Sequence, residues 1–158
     1  MGRFRATRWL ATAVAFTLFL GCGPKPDENS GGDEKKAKAG VIKLGEPAHD
    51  RVDRPGGDST DWKRFAVDVY ETDLTLRIWW DNPNVRATVT LYDMFGSQLY
   101  ALTHKIGERK ESWGNIRIRK GEYFVKVTAS SAESVYTLEL KTADMERQEA
   151  PPPVNRPF

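Results

Sequence analysis

The sequence predicts an all-β fold, an antiparallel β-sandwich of about eight strands with disordered flanks. Between residues 41 and 142, apolar and polar side chains alternate in short segments, and no segment has the spacing of an amphipathic helix. Residues that favour turns separate these segments at intervals of about ten residues. Segments with one apolar and one polar face are typical of antiparallel sheets that pack against each other.

The first 21 residues have the pattern of an export signal. Residues 1–8 carry three arginines and no acidic residue, and residues 9–20 form an apolar run of 12 residues. A helix that spans a bilayer needs about 20 apolar residues, so this run is too short for a permanent transmembrane anchor. We therefore expect residues 1–21 to be removed.

The only cysteine of the chain, Cys22, follows this leader directly. Residues 19–22, Phe-Leu-Gly-Cys, resemble the lipobox of bacterial lipoproteins, in which the cysteine becomes the acylated first residue. The resemblance implies a lipoprotein signal peptide over 1–21 and a lipid anchor such as palmitate at Cys22, which contributes about 0.8 kcal/mol per buried CH₂. Gly23 follows the cysteine in place of aspartate, and this resembles outer-membrane sorting. An ordinary cysteine in a signal peptide that is cut elsewhere is the alternative.

Two polar flanks surround the predicted domain at 41–142. Residues 22–40 contain no large apolar side chain, so we expect a flexible linker. Residues 143–158 are expected to form a Pro-rich tail, with a short helical turn at 144–148.

Without the three arginines of the leader, 21 basic residues remain against 22 acidic ones, and this balance argues against nucleic acid as a partner.

The period-two pattern places the strands one by one. The second strand has Phe65, Val67 and Val69 on one face, and the third has its apolar residues at the even positions 74 to 80. The segment that leads to 55–58 is rich in turn formers and is predicted as a loop, and further turns are expected at 81–84, 93–96 and 119–121. The predicted strands span 41–44, 62–69, 74–80, 85–91, 97–103, 112–118, 123–127 and 136–140.

Four segments, in this order, resemble motifs of the bacterial pre-peptidase C-terminal (PPC) domain. Residues 58–65 (DSTDWKRF) resemble its opening G-D-x-D-W-Y-x-F, and residues 89–96 (VTLYDMFG) resemble its L-Y-L-Y-D-x-x-G. Residues 121–127 (GEYFVKV) resemble G-T-Y-Y-V-R-V, and residues 136–140 (YTLEL) resemble the closing Y-T-L-T-V. One departure is Lys63, which stands where the family usually has an inward aromatic residue.

The resemblance implies a jelly-roll-like sandwich that is not itself a catalyst, that often binds carbohydrate or protein, and that sometimes holds calcium. The residues also indicate a protein that is not a catalyst, because the chain has no serine in a glycine-flanked nucleophile turn and no glycine-rich phosphate loop. The two histidines, His49 and His104, are far apart in sequence and are expected on the surface rather than in a metal site. We therefore predict no enzyme activity and no cofactor.

Calcium is the one metal ion for which the acidic residues offer candidate ligands. Asp58 and Asp61 in one loop and Asp81 in another carry the oxygen ligands that calcium prefers. Aspartate is also a common turn residue, and neither loop has the spacing of a dedicated calcium loop. We predict no metal site and keep these three residues as the calcium candidates.

Outward aromatic and cationic side chains form the predicted binding surface. Trp79 must point away from Trp80 on the same strand, and Phe124 alternates with the inward Tyr123. Exposed aromatic rings beside cations stack on sugars or anchor protein partners, although isolated exposed rings are also normal. The candidate surface comprises Trp79, Tyr92, Phe124, Arg77, Arg86 and Lys126.

Together these predictions describe a lipid-anchored protein of the bacterial cell envelope, in the periplasm at the outer membrane. Its β-sandwich is expected to be a non-catalytic binding or scaffold module for an envelope protein or glycan. The alternative is an accessory subunit that assists the assembly or export of a larger envelope machine and docks by a sheet edge.

Overall fold

A computed structural model describes residues 31–149, so the leader, Cys22 and the tail from residue 150 lie outside the described residues. The predicted all-β class is confirmed, since seven strands form one mostly antiparallel sheet. Among residues 31–149, neither helix has the length and apolar character that crossing a membrane requires. The strands are β1 (Gly40–Val41), β2 (Ala48–Asp53), β3 (Thr60–Trp80), β4 (Arg86–Asp93), β5 (Gln98–Thr103), β6 (Lys110–Ser131) and β7 (Glu133–Thr142). The helices are a 3-10 helix at Lys36–Lys38 and α1 at Ala143–Glu149.

Two long strands, β3 and β6, bend and divide the sheet into two packed layers. Their pairing register shifts between Val67 and Glu71 of β3. The contacts of Tyr136 of β7 show that the layers pack against each other. Its ring lies 5.9 Å from the Trp80 ring, and its hydroxyl donates a 2.9 Å hydrogen bond to Asp61 Oδ2. Trp80 and Asp61 stand at opposite ends of β3, so the strand folds back across β7.

The strand order, β2-β7-β3-β6-β4-β5, assigns each segment to a layer. The first layer contains β2, β7, the second half of β3 and the first half of β6. The second layer contains the first half of β3, the second half of β6, β4 and β5, with β1 parallel to the start of β3.

The core lies between the layers and is built from most of the predicted inward positions. Phe65 and Val67 are buried before the bend of β3, and the even positions from 74 to 80 are buried after it. Val69 was expected to point inward, but it is 42% exposed because it lies in the bend, where β3 has lost its pairing with β6. Each fully buried aliphatic side chain contributes about 1.5–3 kcal/mol to folding.

The structure differs from the predicted strands in two respects. First, β2 lies within the segment predicted as a loop. Its inward positions are Asp50 and Val52, so the apolar alternation that identifies a strand is missing. Second, the two predicted strands before and after the bend of β3 are continuous, and the same holds for β6. The turn predicted at 119–121 is therefore part of a bent strand.

Residues 31–40 pack on the domain, which differs from the flexible linker expected over 22–40. The Trp62 N–H donates a 3.0 Å hydrogen bond to the Asp33 carbonyl, and Gly40 pairs with Lys63. Asp33 itself is 7% exposed. The inner end of the expected linker is thus part of the second layer. At the other end of the chain, the short helical turn expected after β7 is present as α1.

Candidate functional site

The structure divides the six residues of the predicted binding surface between two places. Arg77 and Trp79 lie on the second half of β3, in the first layer. Tyr92 pairs with Phe124 in the second layer, which also carries Lys126. The two layers meet at the core, so their outward sides face away from each other. One partner cannot contact all six residues in the way the sequence analysis proposed.

The outward side of the first layer carries a groove of about 330 Å³ around Trp79. We call it the Trp79 groove, and its polar wall includes His49, Asp81, Arg109 and Thr137. His49 Nδ1 and Thr137 Oγ1 form a 2.8 Å hydrogen bond, and Arg109 donates a 2.8 Å hydrogen bond to the Asp81 carbonyl. A partly exposed indole beside fixed donors and acceptors provides both stacking and hydrogen bonding for a polar ligand.

Two cations stand close to this groove, with different partners. The Lys110 ammonium lies 5.0 Å from the centre of the Trp79 ring, in a cation–π contact. Arg77 instead forms ion pairs with Glu139 at 3.2 Å and with Glu146 of α1. Arg77 therefore holds α1 on the first layer and does not line the groove.

The outward side of the second layer carries three packed aromatic rings, which we call the aromatic face: Trp62, Tyr92 and Phe124. The Trp62 ring lies 5.2 Å from that of Tyr92 and 6.5 Å from that of Phe124. Phe124 points outward as predicted, but it is only 7% exposed because the Lys36 ammonium lies 4.3 Å above its ring. The 3-10 helix at Lys36–Lys38 thus covers part of the face.

Lys126 and Arg86 relate to the aromatic face in different ways. The Lys126 ammonium lies 5.5 Å from the Trp62 ring centre, so it belongs to the face. Arg86 is exposed at the other end of β4, where its N–H donates a 3.2 Å hydrogen bond to Ser131 Oγ. Trp62 was not among the predicted surface residues, although its position out of phase with Phe65 was the available signal.

A buried charge cluster lies under the aromatic face. Lys63 points inward and is 4% exposed. Its ammonium donates a 2.9 Å hydrogen bond to Asp33 Oδ2 and a second hydrogen bond to Asp50. Asp61, which is fully buried, accepts the hydrogen bond from the Tyr136 hydroxyl. The position at which the sequence departs from the PPC motif is therefore occupied by a paired cation.

Burial shifts the titration of this cluster. It raises the pKa of Asp61 to about 8, helped by the negative charges of Asp50 and Asp33. Burial also raises the pKa of Asp50, against the opposing effect of Lys63. For Lys63, burial acts to lower the pKa, but hydrogen bonds to Asp50 and Asp33 outweigh it and raise the pKa. Lys63 therefore remains an ammonium at neutral pH.

The three calcium candidates fall in different places. Asp61 joins Asp33 and Asp50, and one carboxylate oxygen from each lies within 4.8 Å of the other two. Asp58 is partly exposed beside this group, where burial raises its pKa. Asp81 is exposed at the Trp79 groove, at the other end of β3. The loops therefore do not combine into a single site, and Asp33 and Asp50 could be found only from the fold.

One expectation for the histidines was wrong. His49 is exposed, as predicted, but His104 is 4% exposed. Its Nδ1 lies 2.6 Å from Glu111 Oε2, its Nε2 lies 3.0 Å from the Pro83 carbonyl, and its ring lies 5.0 Å from that of Trp80. His104 fastens the loop after β5 to the core, because its two ring nitrogens join segments that are distant in sequence.

Comparison with known proteins supports the fold. No protein-family profile and no curated protein matches the chain. The crystal structure of the PPC domain of a collagenase from Bacillus anthracis is similar with a TM-score of 0.53 and 17% sequence identity, over 65% of this chain and 94% of that one. The fold is therefore PPC-like, as the four sequence motifs predicted.

Two further structures have a weaker likeness. PliG of Aeromonas hydrophila, a periplasmic inhibitor of g-type lysozyme, has a TM-score of 0.36 and 10% identity, over 66% of this chain and 98% of that one. A tryptic core variant of Cry1Da from Bacillus thuringiensis has a TM-score of 0.40 and 8% identity, over 67% of this chain and 25% of that one.

Proposed function

We propose that this protein is a lipid-anchored binding or scaffold module of the bacterial cell envelope that holds its partner in the Trp79 groove. The observation that carries the proposal is the partly exposed Trp79 ring in a groove with His49, Arg109 and Thr137. A glycan fits this groove best, because a sugar ring offers a flat face for the indole and hydroxyl groups for the polar wall. A protein partner is the other outcome that the test below distinguishes.

The acidic residues support a role in binding rather than in catalysis. Glycoside hydrolysis needs two carboxyl groups about 5 to 10 Å apart in an open cleft. Asp50 and Asp61 are buried and satisfied in part by Lys63 and Tyr136, so they do not face a ligand. Asp81 is the one acidic residue that lines the groove in the part of the chain described. Its backbone carbonyl accepts a hydrogen bond from Arg109.

The expected anchor would keep the groove close to the membrane. Eight residues separate Cys22 from Gly31, where the described domain begins. A fully extended chain of that length spans about 30 Å. A partner in the same membrane, or a glycan layer next to it, is therefore within reach of the domain.

The test is binding of the purified mature domain to peptidoglycan sacculi and to isolated envelope polysaccharides. We expect Trp79→Ala to weaken binding at least about tenfold, as truncation of an aromatic anchor does. Tyr70→Ala is the matched control, because Tyr70 is 82% exposed in the bend of β3, away from the groove. Glycan binding that is equal in the wild-type protein and Trp79→Ala would contradict the proposal.

A second function, as an accessory subunit of an envelope machine, is favoured by the edge strand β5. In the described chain β5 pairs only with β4, and Leu99 and Tyr100 on it are 42% and 41% exposed. An exposed edge can accept a strand from a partner protein. Crosslinking in intact cells followed by pull-down separates the two functions, since a protein held at β5 would remain bound to Trp79→Ala.

A further inference from the structure

The buried charge cluster does not fit the calcium that the PPC resemblance implies. Calcium takes six to eight oxygen ligands. Asp33, Asp50 and Asp61 offer six carboxylate oxygens, but four of these already accept hydrogen bonds, from the Lys63 ammonium, the Arg51 N–H and the Tyr136 hydroxyl. Only Asp33 Oδ1 and Asp61 Oδ1 lack a hydrogen-bond partner among the described residues.

We propose that Lys63 serves as a built-in cation that clasps residues 31–41 to the sandwich, where a divalent metal would otherwise be needed to join these carboxylates. The ammonium connects Asp33 of the N-terminal segment with Asp50 of β2, and both carboxylates are nearly inaccessible to solvent. These two residues are 17 positions apart in sequence, so the clasp joins the segment to an element of the first layer.

The surrounding backbone is arranged to support this clasp. Gly40 packs directly on Lys63, since a Cβ atom at Gly40 would lie 3.4 Å from the ammonium nitrogen. The Trp62 N–H donates to the Asp33 carbonyl at 3.0 Å, and the Ile42 N–H donates to the Arg64 carbonyl at 2.9 Å. These two hydrogen bonds join the two ends of the clasped segment to β3, so the exchange of the Trp62 and Ile42 amides reports whether the segment is docked.

The clasp also determines how much of the aromatic face is open. Lys36 lies between Asp33 and Gly40, and its ammonium donates a 2.9 Å hydrogen bond to the Met94 carbonyl while it covers the Phe124 ring. A segment released from Lys63 would carry Lys36 away from this position. The clasp therefore fixes residues 31–41 to the sandwich and at the same time keeps Phe124 covered. It acts independently of the Trp79 groove.

The first test is hydrogen exchange in the mature protein and in Asp33→Asn, which removes one negative charge at nearly constant volume. We expect the Trp62 and Ile42 amides to exchange at least about tenfold faster in the variant, whereas the amide of Val125 in the core of β6 keeps its protection. Glu34→Gln is the matched control, because Glu34 is the neighbouring exposed acid. Unchanged protection of both amides in Asp33→Asn would overturn the proposal.

The second test separates the ammonium from a metal. We expect 5 mM CaCl₂ and EDTA to give the same melting temperature and the same Trp62 protection in the wild-type protein. Lys63→Met should lose that protection and melt more than about 5 °C lower, since it leaves buried carboxylates without their cation. Lys43→Met is its control, because Lys43 is exposed in its pair with Glu46. Loss of protection of the wild-type amides in EDTA would show that a metal forms the clasp and would refute the proposal.

Discussion

Asp61 is the residue whose environment differs most from that of an ordinary aspartate. It is fully buried, faces Asp33, Asp50, Lys63 and Tyr136, and has a pKa of about 8. The folded protein therefore keeps a proton on Asp61 between about pH 4 and pH 8, whereas the unfolded chain has released it. Folding stability must fall as pH rises through this window and level off above it, because the folded state binds more protons.

Asp61→Asn tests this dependence on pH. Between pH 5 and pH 8 the free energy of unfolding of the wild-type protein should decrease by up to about 4 kcal/mol through Asp61, and the variant should lose that decrease. Urea unfolding at both pH values measures it, with Asp81→Asn as the control at an exposed aspartate. If the wild-type protein and Asp61→Asn show the same change with pH, Asp61 is ionised in the folded state.

At the scale of elements, the bends of β3 and β6 decide whether the strands form one flat sheet or two packed layers. In β6 the bend follows Arg119, whose N–H donates a 3.0 Å hydrogen bond to the Tyr123 hydroxyl. The same hydroxyl donates a 2.8 Å hydrogen bond to the Arg119 carbonyl. One buried phenol thus satisfies both backbone groups of Arg119, the residue of β6 next to which the pairing with β3 becomes irregular.

Tyr123→Phe removes this support with little change in volume. We expect it to lower the free energy of unfolding by about 1–3 kcal/mol, because it leaves two backbone groups without their partner. Tyr92→Phe on the aromatic face is the matched control and should change stability by less than about 0.5 kcal/mol. Denaturant unfolding of the three proteins gives the comparison, and equal stability would mean that water replaces the phenol in the bend.

The same bend shows how far the sequence could predict the fold. Period two identified most inward residues of β3, β4, β6 and β7, because burial there depends on alternation along one strand. It could not show that residues 119–121 continue a strand, since turn residues also favour bends. The period-two pattern missed β2 because Asp50 faces inward. Burial of this aspartate is explained by its ion pair with Lys63, which is 13 positions away in sequence. The division of the predicted surface between two layers likewise depends on strand order, which alternation does not encode.

At the scale of the whole molecule, the proposed function assigns position in the envelope to Cys22 and Gly23 and binding to the sandwich. The two should be separable, because the core, the groove and the clasp all lie within residues 31–149. A change at Cys22 should therefore alter where the protein resides without altering the fold or the melting temperature of the domain.

Cys22→Ser and Gly23→Asp test this separation as a pair. We expect Cys22→Ser to abolish labelling of the protein with radioactive palmitate, since it removes the chain's only thiol. Gly23→Asp should keep the label but move the protein from the outer-membrane to the inner-membrane fraction, because it alters the sorting position and leaves the thiol intact. Palmitate labelling of Cys22→Ser, or an unchanged distribution of Gly23→Asp between the two membranes, would contradict the anchor or the sorting assignment respectively.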